Sequence, residues 1–385
     1  MKKMRTIKKI IVLLSLCTIL SGCWDLREIE RMYYIHAIGV NFKDGMYEIT
    51  MQIINFTNVA KTEQVNHDAI QAEIATARGK TPDEAIFELY HSIDEMIYWG
   101  HLQVIVFGEE VLKENRIDEM INLLTRFRDT RYETWVYCTS EPVDKFLLVS
   151  PLLERSITLT KIADPLNSYE QSSFVKPISL RELIIDLNEP SNQAKIPAIK
   201  LIGDWKNEKG PSESIKFEGY GVLSKKDFKG FLTGEDVHGV QWVTKKAYRG
   251  KITTETKNNK KLTIVIQHIR PKITPIINGE SVEFDIHVSV TGNLNDFKEN
   301  IKSDELKEII RENVKKEILR TYTAALDKDM DIFRLSEVLY RKDVKMWKKI
   351  HTDGMIPLTE DSIRNVEITV EQMESGRKSF ETTIE

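Results

Sequence analysis

Apolar and polar positions change period several times along the chain, and each change predicts an element. From Arg31 to Phe56 the chain runs YYIHAIGV, then Lys43-Asp44-Gly45, then MYEITMQIINF; an Asp-Gly pair between β-rich runs predicts a hairpin. AIQAEIATA at 69–77 alternates again and predicts another strand. Gly79-Lys80-Thr81-Pro82-Asp83-Glu84 opens a predicted helix that runs through about Met96. Thr81 is the expected N-cap, Pro82 sits at N1 where its missing N–H costs nothing, and Glu84 completes a capping box. HLQVIVFG (101–108) and ETWVYCTS (133–140) read as strands. IDEMINLLTRF (117–127), EPVDKFLLV (141–149) and SLRELIIDL (179–187) read as helices. Strands alternating with helices predict a mixed sheet with helices packed on it.

Residues 188–210 are rich in turn formers, which marks a boundary or long loops. IKFEGYGVLSKKDFKGFLTGED then predicts two strands about a Lys-Lys-Asp turn, bulged near the glycines. VHGVQWVT (237–244) has the look of a short helix. From about Gly250 a third unit begins, with KLTIVIQHIR (261–270) and SVEFDIHVSV (281–290) alternating every second residue, as in an antiparallel sheet covered on one side. The clearest helix spans 303–327, with Ser303 as N-cap and Asp304 and Glu305 complementing the helix dipole. Leu306, Ile309, Ile310, Val314, Ile318, Leu319, Ala325 and Leu326 trace its apolar stripe, roughly 37 Å long at the rise of an α-helix. A helical region at 333–350 and a strand at 365–372 follow. The expected fold class is α+β: three α/β-type domains with mixed and antiparallel sheets, following a cleaved lipoprotein signal peptide. The expected division is a signal peptide at 1–22, an N-terminal α/β domain at 23–190, a small middle domain at 191–249 and a C-terminal α+β domain at 250–385.

The N-terminus places the chain in a cell. MKKMRTIKK is basic without an acid, and Ile10 to Leu20 is an apolar run of 11 residues, too short to span a bilayer. Leu20-Ser21-Gly22-Cys23 follows as a lipobox: small residues before a Cys whose sulfur takes a diacylglycerol and whose amine is then acylated. An uncleaved signal anchor would suit the missing A-x-A site, but the short apolar run, the small residues and the Cys position agree on lipidation at Cys23. Two or more acyl chains, such as palmitate, anchor stably where one holds weakly.

Lys and Arg total 55 and Asp and Glu 59, a formal charge of −4; removing Lys2, Lys3, Arg5, Lys8 and Lys9 with the leader leaves −9. Hydrophobic residues make up 41%, which excludes a disordered chain. The lone apolar run excludes a polytopic membrane protein, and the acidic balance with no basic block argues against nucleic-acid binding. Of the 3 cysteines, Cys17 leaves with the leader and Cys23 is lipidated, so Cys138 stands alone as an expected buried strand residue rather than a nucleophile.

Chemistry-bearing motifs fail on inspection. Gly79-Lys80-Thr81 is not a phosphate loop, because the first Gly of that motif would fall on Ile74. Gly219 and Gly221 have no third glycine at 224. Asp327, Asp329 and Asp331 resemble the opening of a calcium loop, but Ile332 stands where Gly is needed and Val338 where Glu is needed, so solvation of a helix end is the better account. His91 and His101 flank Tyr98-Trp99-Gly100 and could in principle meet a metal; a packing or loop role fits them better. Glu28 and Glu30 beside Arg27 and Arg31 read as a solvated face. No catalytic residue, cofactor or metal is expected.

Cys23-Trp24-Asp25-Leu26-Arg27-Glu28-Ile29 resembles the start of the mature chain in the Ger(x)C family, the lipoprotein C subunits of spore germinant receptors. Further matches follow in order: the strand IHAIGV, Gly79-Lys80-Thr81 with Glu84-Ala85, Gly100-His101-Leu102 before VIVFGEE, and Asp331-Ile332-Phe333 with Trp347-Lys348. Glu218-Gly219-Tyr220-Gly221-Val222 stands where members often have Gly-x-Ala-Val-Phe, a departure at 221 and 223. The resemblance spans nearly the whole chain. It implies no catalysis, lipidation at Cys23, and a complex with membrane-embedded A and B receptor subunits at the outer face of the spore inner membrane, responding to small nutrients such as amino acids, sugars or nucleosides. The expected role is a non-enzymatic subunit that acts by assembly and conformational coupling. The alternative is a lipid-anchored solute-binding protein that captures the nutrient itself, which predicts a deep cleft lined by aromatic and polar groups.

Overall fold

The computed structural model describes residues 31–54, 70–127, 129–255, 261–294 and 301–375. The leader, Cys23, Glu28 and Glu30 lie outside the described residues.

Strands β1 (Met32–Lys43) and β2 (Met46–Ile54) form the expected hairpin, and β3 (Ala72–Gly79) adds antiparallel to β2. Asp44 at φ 53° and Gly45 at φ 77° supply the left-handed pair that a two-residue turn requires. Helix α1 (Pro82–Tyr90) starts where its caps place it: Thr81 Oγ1 accepts from Glu84 N at 3.2 Å. The Glu84 carboxylate, however, accepts from Lys80 N at 2.6 Å, one residue before the N-cap. The helix also ends well before Met96, because β4 (Met96–Tyr98) is drawn into parallel pairing with Met32–Tyr34.

β5 (Val104–Gly108), α2 (Glu109–Lys113), α3 (Ile117–Arg126), β6 (Trp135–Thr139), α4 (Val143–Leu147), α5 (Pro165–Gln171), β7 (Ile178–Ser179) and α6 (Leu180–Asn188) follow. Pro142 is the N-cap of α4. Ala194–Asn207, within the stretch expected as boundary or loops, is the long strand β8, followed by β9 (Gly210–Leu223) and β10 (Phe228–Thr233). The alternation in AKIPAIKLI buries Ala194, Ile196 and Ala198, and that burial outweighs the turn formers around it. The β9–β10 hairpin carries the expected bulge, between Phe228 and Gly230.

These strands form one sheet in the order β10-β9-β8-β6-β5-β1-β2-β3, with β4 on β1 and β7 on β6. The centre is parallel and both wings are antiparallel. The segment 191–249 therefore shares a sheet with the strands that precede it. Both faces are covered: Val104 and Val106 join one apolar cluster, while Ile105 and Phe107 join the other. That double burial is why β5 reads as an unbroken apolar run.

After α7 (Val240–Val243), a second sheet is built from β11 (Arg249–Glu255), β12 (Lys261–Asn278), β13 (Ser281–Leu294) and β14 (Ile363–Ser375), in that spatial order. The first three strands are antiparallel, as the alternation predicts. β14 is parallel to β13, because the helical crossover α8 (Ser303–Leu326), α9 (Leu335–Lys342) and α10 (Val344–Ile350) carries the chain back. On α8 the N-cap is Lys302, and Ser303 is the first helical residue. Its buried face holds Leu306, Ile310, Val314, Ile318 and Ala325; Leu319 is 38% exposed, since one helical step turns it away from that face. Asp343 interrupts the expected 333–350 helix and caps α10, accepting from Lys345 N and Met346 N at 3.0 Å each. Trp242 on α7 donates Nε1–H to Glu317 Oε2 at 2.6 Å, and Gly239 N donates to Thr321 Oγ1 at 2.8 Å, which ties α8 to the connection between the two sheets. One apolar cluster runs from Tyr137 and Phe217 through Trp242 to β12, β13 and α8, so the two sheets share a core.

Candidate functional site

The sequence candidates are dispersed. Cys138 is buried in β6, donates Sγ–H to Ile196 O at 3.4 Å, and has its thiol pKa pushed well up by burial, so it is inert. His91 lies beside Glu88 on the surface, while His101 packs edge-on against Tyr34 and Tyr98, with burial and then Arg131 lowering its pKa. Asp327 is the C-cap of α8, Asp329 pairs with Lys229, and Asp331 is buried. Among the described residues no group of three or more His, Cys, Asp or Glu side chains converges as a metal site.

The structure instead concentrates its buried polar chemistry where the loop between α8 and α9 meets the large sheet. Asp331 holds this loop in shape: its carboxylate accepts from Leu335 N and Ser336 N at 2.7 Å each. Gln193, just before β8, grips the loop twice, donating Nε2–H to Asp329 O at 3.1 Å and accepting from Asp331 N at 2.8 Å. Lys195 on β8 donates to Ile332 O at 3.0 Å. Arg334, in the left-handed region at φ 58°, turns its guanidinium onto Asp186 of α6 and reaches Glu337 at 3.5 Å. Asn192 donates to the other Asp186 oxygen at 2.9 Å. A clasp of charge-assisted and backbone hydrogen bonds thus ties the N-terminal sheet to the crossover helices of the second sheet.

Beside the clasp opens a cleft of about 580 Å³ between α6, β8 and β9 on one side and α9 and β12 on the other. Tyr220 and Phe333 supply aromatic walls, and Lys245 and Lys272 stand exposed at its rim. Six basic and three acidic side chains line it, and even with Lys195 neutral the basic ones outnumber the acids in an otherwise acidic chain, so its field favours an anion. Burial, then the Arg334 charge, pushes the Lys195 ammonium down to about 7. Burial raises the Asp186 carboxyl although Arg334 opposes it. At Glu182 burial also works upward, but the Lys176 ion pair at 2.9 Å and the Ser179 N–H prevail and lower it. Burial holds the Tyr220 hydroxyl protonated, and it accepts from Lys176 N at 2.7 Å. The arrangement can hold and orient a charged group. Of the clasp residues, the sequence pointed to Asp331-Ile332-Phe333 and to no others; the available signal for Lys195 was a lysine inside the apolar alternation of β8.

The family description "Spore germination protein N-terminal domain" matches residues 25–201, and "Spore germination B3/ GerAC like, C-terminal" matches residues 218–374. The chain is 24% identical over 371 residues to spore germination protein B3 of Bacillus subtilis (strain 168), covering 93% of this chain and 96% of that one. It is 24% identical over 366 residues to spore germination protein KC of the same organism, covering 89% and 88%. The crystal structure of the GerBC protein superposes with a TM-score of 0.54 at 17% identity, covering 91% of this chain and 99% of that one, which shows a common fold.

Proposed function

The chain belongs to the Ger(x)C family of spore germination proteins, and from that premise we propose that it is the lipid-anchored, non-enzymatic subunit of a nutrient germinant receptor in the spore inner membrane. Cys23 carries the lipid, and the body works by assembling with the membrane-embedded A and B subunits and passing conformational change between them. The observation that supports this reading is the clasp. Buried polar contacts at Gln193, Lys195 and Asp331 join two sheets that also share an apolar core, so strain applied to one is felt by the other. The test is affinity purification of the tagged chain from spore membranes with mass spectrometry. Membrane-embedded receptor subunits should co-purify, and loss of the chain should abolish the germination response to their nutrient. Recovery of the chain alone, with germination intact in its absence, overturns the reading.

The cleft of about 580 Å³ favours a second reading, capture of a small solute by this chain itself. Its cation excess specifies a carboxylate- or phosphate-bearing solute. Thermal melts of the chain with such solutes at millimolar concentration should then show a saturable rise in Tm that Lys272→Glu removes; no shift with any of them removes this reading and leaves the first standing.

A further inference from the structure

The two ends of the large sheet differ in chemistry. At the carboxyl ends of β1, β5 and β6 lies an open, polar cavity of about 470 Å³ lined by Lys43, Glu48, Glu109, Glu110, Glu141 and Asp144, with Glu48 paired to Arg78 and Glu109 and Glu110 to Lys113. At the other end, where β1 begins, large apolar side chains face solvent. Met96 pairs in register with Met32, the first residue of β1, and is 57% exposed. Ile70, two residues before β3, is 65% exposed. Leu153 is 90% exposed and Leu159 49%. Both flank Ile157, whose side chain is packed into the small cluster of Tyr34, Ile54, Met32, Ala72 and Tyr98 at this rim, and whose N–H donates to Gln71 Oε1 at 2.9 Å. Leu153 also adopts φ 62°, a backbone conformation that a bulky side chain rarely takes. One exposed leucine would be ordinary, but Leu153 joins Ile70, Met96 and Leu159 about the one small cluster, and apolar side chains gathered in this way mark an interaction surface.

The chain also enters at this rim. Arg31 lies eight peptide steps after Cys23, a reach of at most about 28 Å. The far end of β1, at Lys43, stands roughly 36 Å further along the strand. A lipid on Cys23 therefore keeps the apolar rim near the bilayer, while the charged, water-filled end stands away from it.

We propose that the rim formed by Ile70, Met96, Leu153 and Leu159 rests in the headgroup and upper acyl region of the bilayer, so that the large sheet stands end-on to the membrane. The inference rests on the reading that Cys23 carries the anchor. It goes beyond that reading by assigning which surface faces the lipid.

The experiment places an environment-sensitive fluorophore on the full chain at Leu153→Cys, with Asp44→Cys at the opposite end as reference; the buried Cys138 does not compete for label. The lipidated chain is reconstituted in vesicles of about three parts zwitterionic to one part anionic phospholipid. Label at 153 should shift to shorter wavelength, be quenched by nitroxide-bearing lipid, and lose roughly fivefold or more of its iodide quenching on vesicles. Label at 44 should do none of these. Three results overturn the proposal. Equal iodide quenching at both positions means the rim faces water. Protection at 153 without vesicles means another part of the chain, such as 55–69, covers it. Protection in spore membranes but not on plain vesicles means a protein partner covers it. The anchor is tested separately, by the mass of the mature N-terminus. A full-length chain with Cys17→Ser and Cys23→Ser should still show a weaker, lipid-dependent shift at 153 that Met96→Asp removes. That shift without lipid on the native chain retains the rim and discards the anchor; lipid on the native chain without the shift does the reverse.

Discussion

Asp331→Asn is the sharpest probe of the clasp. Asp331 is 5% exposed, and its two oxygens accept from Leu335 N and Ser336 N at 2.7 Å each. Hydrogen bonds to a charged group contribute about 1.5–3 kcal/mol, and a buried donor left without an acceptor costs about 1–3 kcal/mol. Asn is nearly isosteric and keeps one acceptor, but it turns an amide N–H₂ toward the second donor. One bond is lost and one buried N–H is orphaned. Partly offsetting this, the substitution removes a buried charge, whose own pKa is raised by that burial. The expected net cost is about 1–3 kcal/mol for Asp331→Asn and more for Asp331→Ala, which orphans both donors. α9 is only 8 residues long and has no stability of its own, so losing its cap also loosens the grip of Gln193 and Lys195 on the loop. Urea unfolding should show a lower midpoint at unchanged slope, and amide exchange should quicken across 331–342 ahead of α8. An Asn variant within 0.5 kcal/mol of the parent, with unchanged exchange there, would refute the assignment of Asp331 as the element that shapes the loop.

Four further outcomes are expected. Lys195 titrates near 7 in the fold against about 10.4 unfolded, so it adds stability as pH rises through that window, by at most about 1.4 kcal/mol per pH unit, and loses it as pH falls toward 7; the stability difference between parent and Lys195→Met should follow that slope in urea titrations at pH 7, 8 and 9, and a flat difference refutes it. Gly221→Ala would set a Cβ 2.7 Å from Cys138 Sγ and cost about 1–3 kcal/mol, most of it recovered by adding Cys138→Ala; strictly additive effects in the double mutant would contradict the contact. Ile310→Ala, at a fully buried position of α8, should cost about 2–5 kcal/mol, whereas Leu319→Ala should cost under about 1 kcal/mol, and thermal melts showing equal losses would reassign the helix face. Cys23→Ala should abolish labelling by radioactive fatty acid and weaken retention of the chain on membranes; undiminished labelling moves the lipid elsewhere.

What the sequence made legible was short-range. The Asp44-Gly45 turn, the Thr81 cap and the stripe from Leu306 to Ala325 are each decided by residues within a few positions of one another. What stayed hidden depends on pairing across long separations. Met96 reads as the end of a helix until β1 claims it. The Asn, Lys and Gly residues after Ile202 read as loop until β9 turns back on them. Lys195 falls in the stretch that reads as boundary or loop, and only the arrival of Ile332, 137 residues later, encloses its ammonium. The family resemblance rested on Asp331-Ile332-Phe333 without a reason for it; the structure supplies one, since Asp331 caps α9 while Ile332 and Phe333 are buried in the shared core.

The parallel placement of β14 has a consequence for how incomplete chains behave. β13 is an interior strand only because Ile363–Ser375 returns to pair with it, after the whole helical crossover has been made. A chain that stops before residue 363 would leave β13 as a long unpaired edge, with Phe284, Ile286, Val288 and Val290 on its apolar face no longer flanked by Val366, Ile368 and Val370. Such an edge recruits strands from other molecules. Truncated products should therefore aggregate rather than persist as partly working protein, and the strand that closes this sheet serves as a check on the crossover that precedes it.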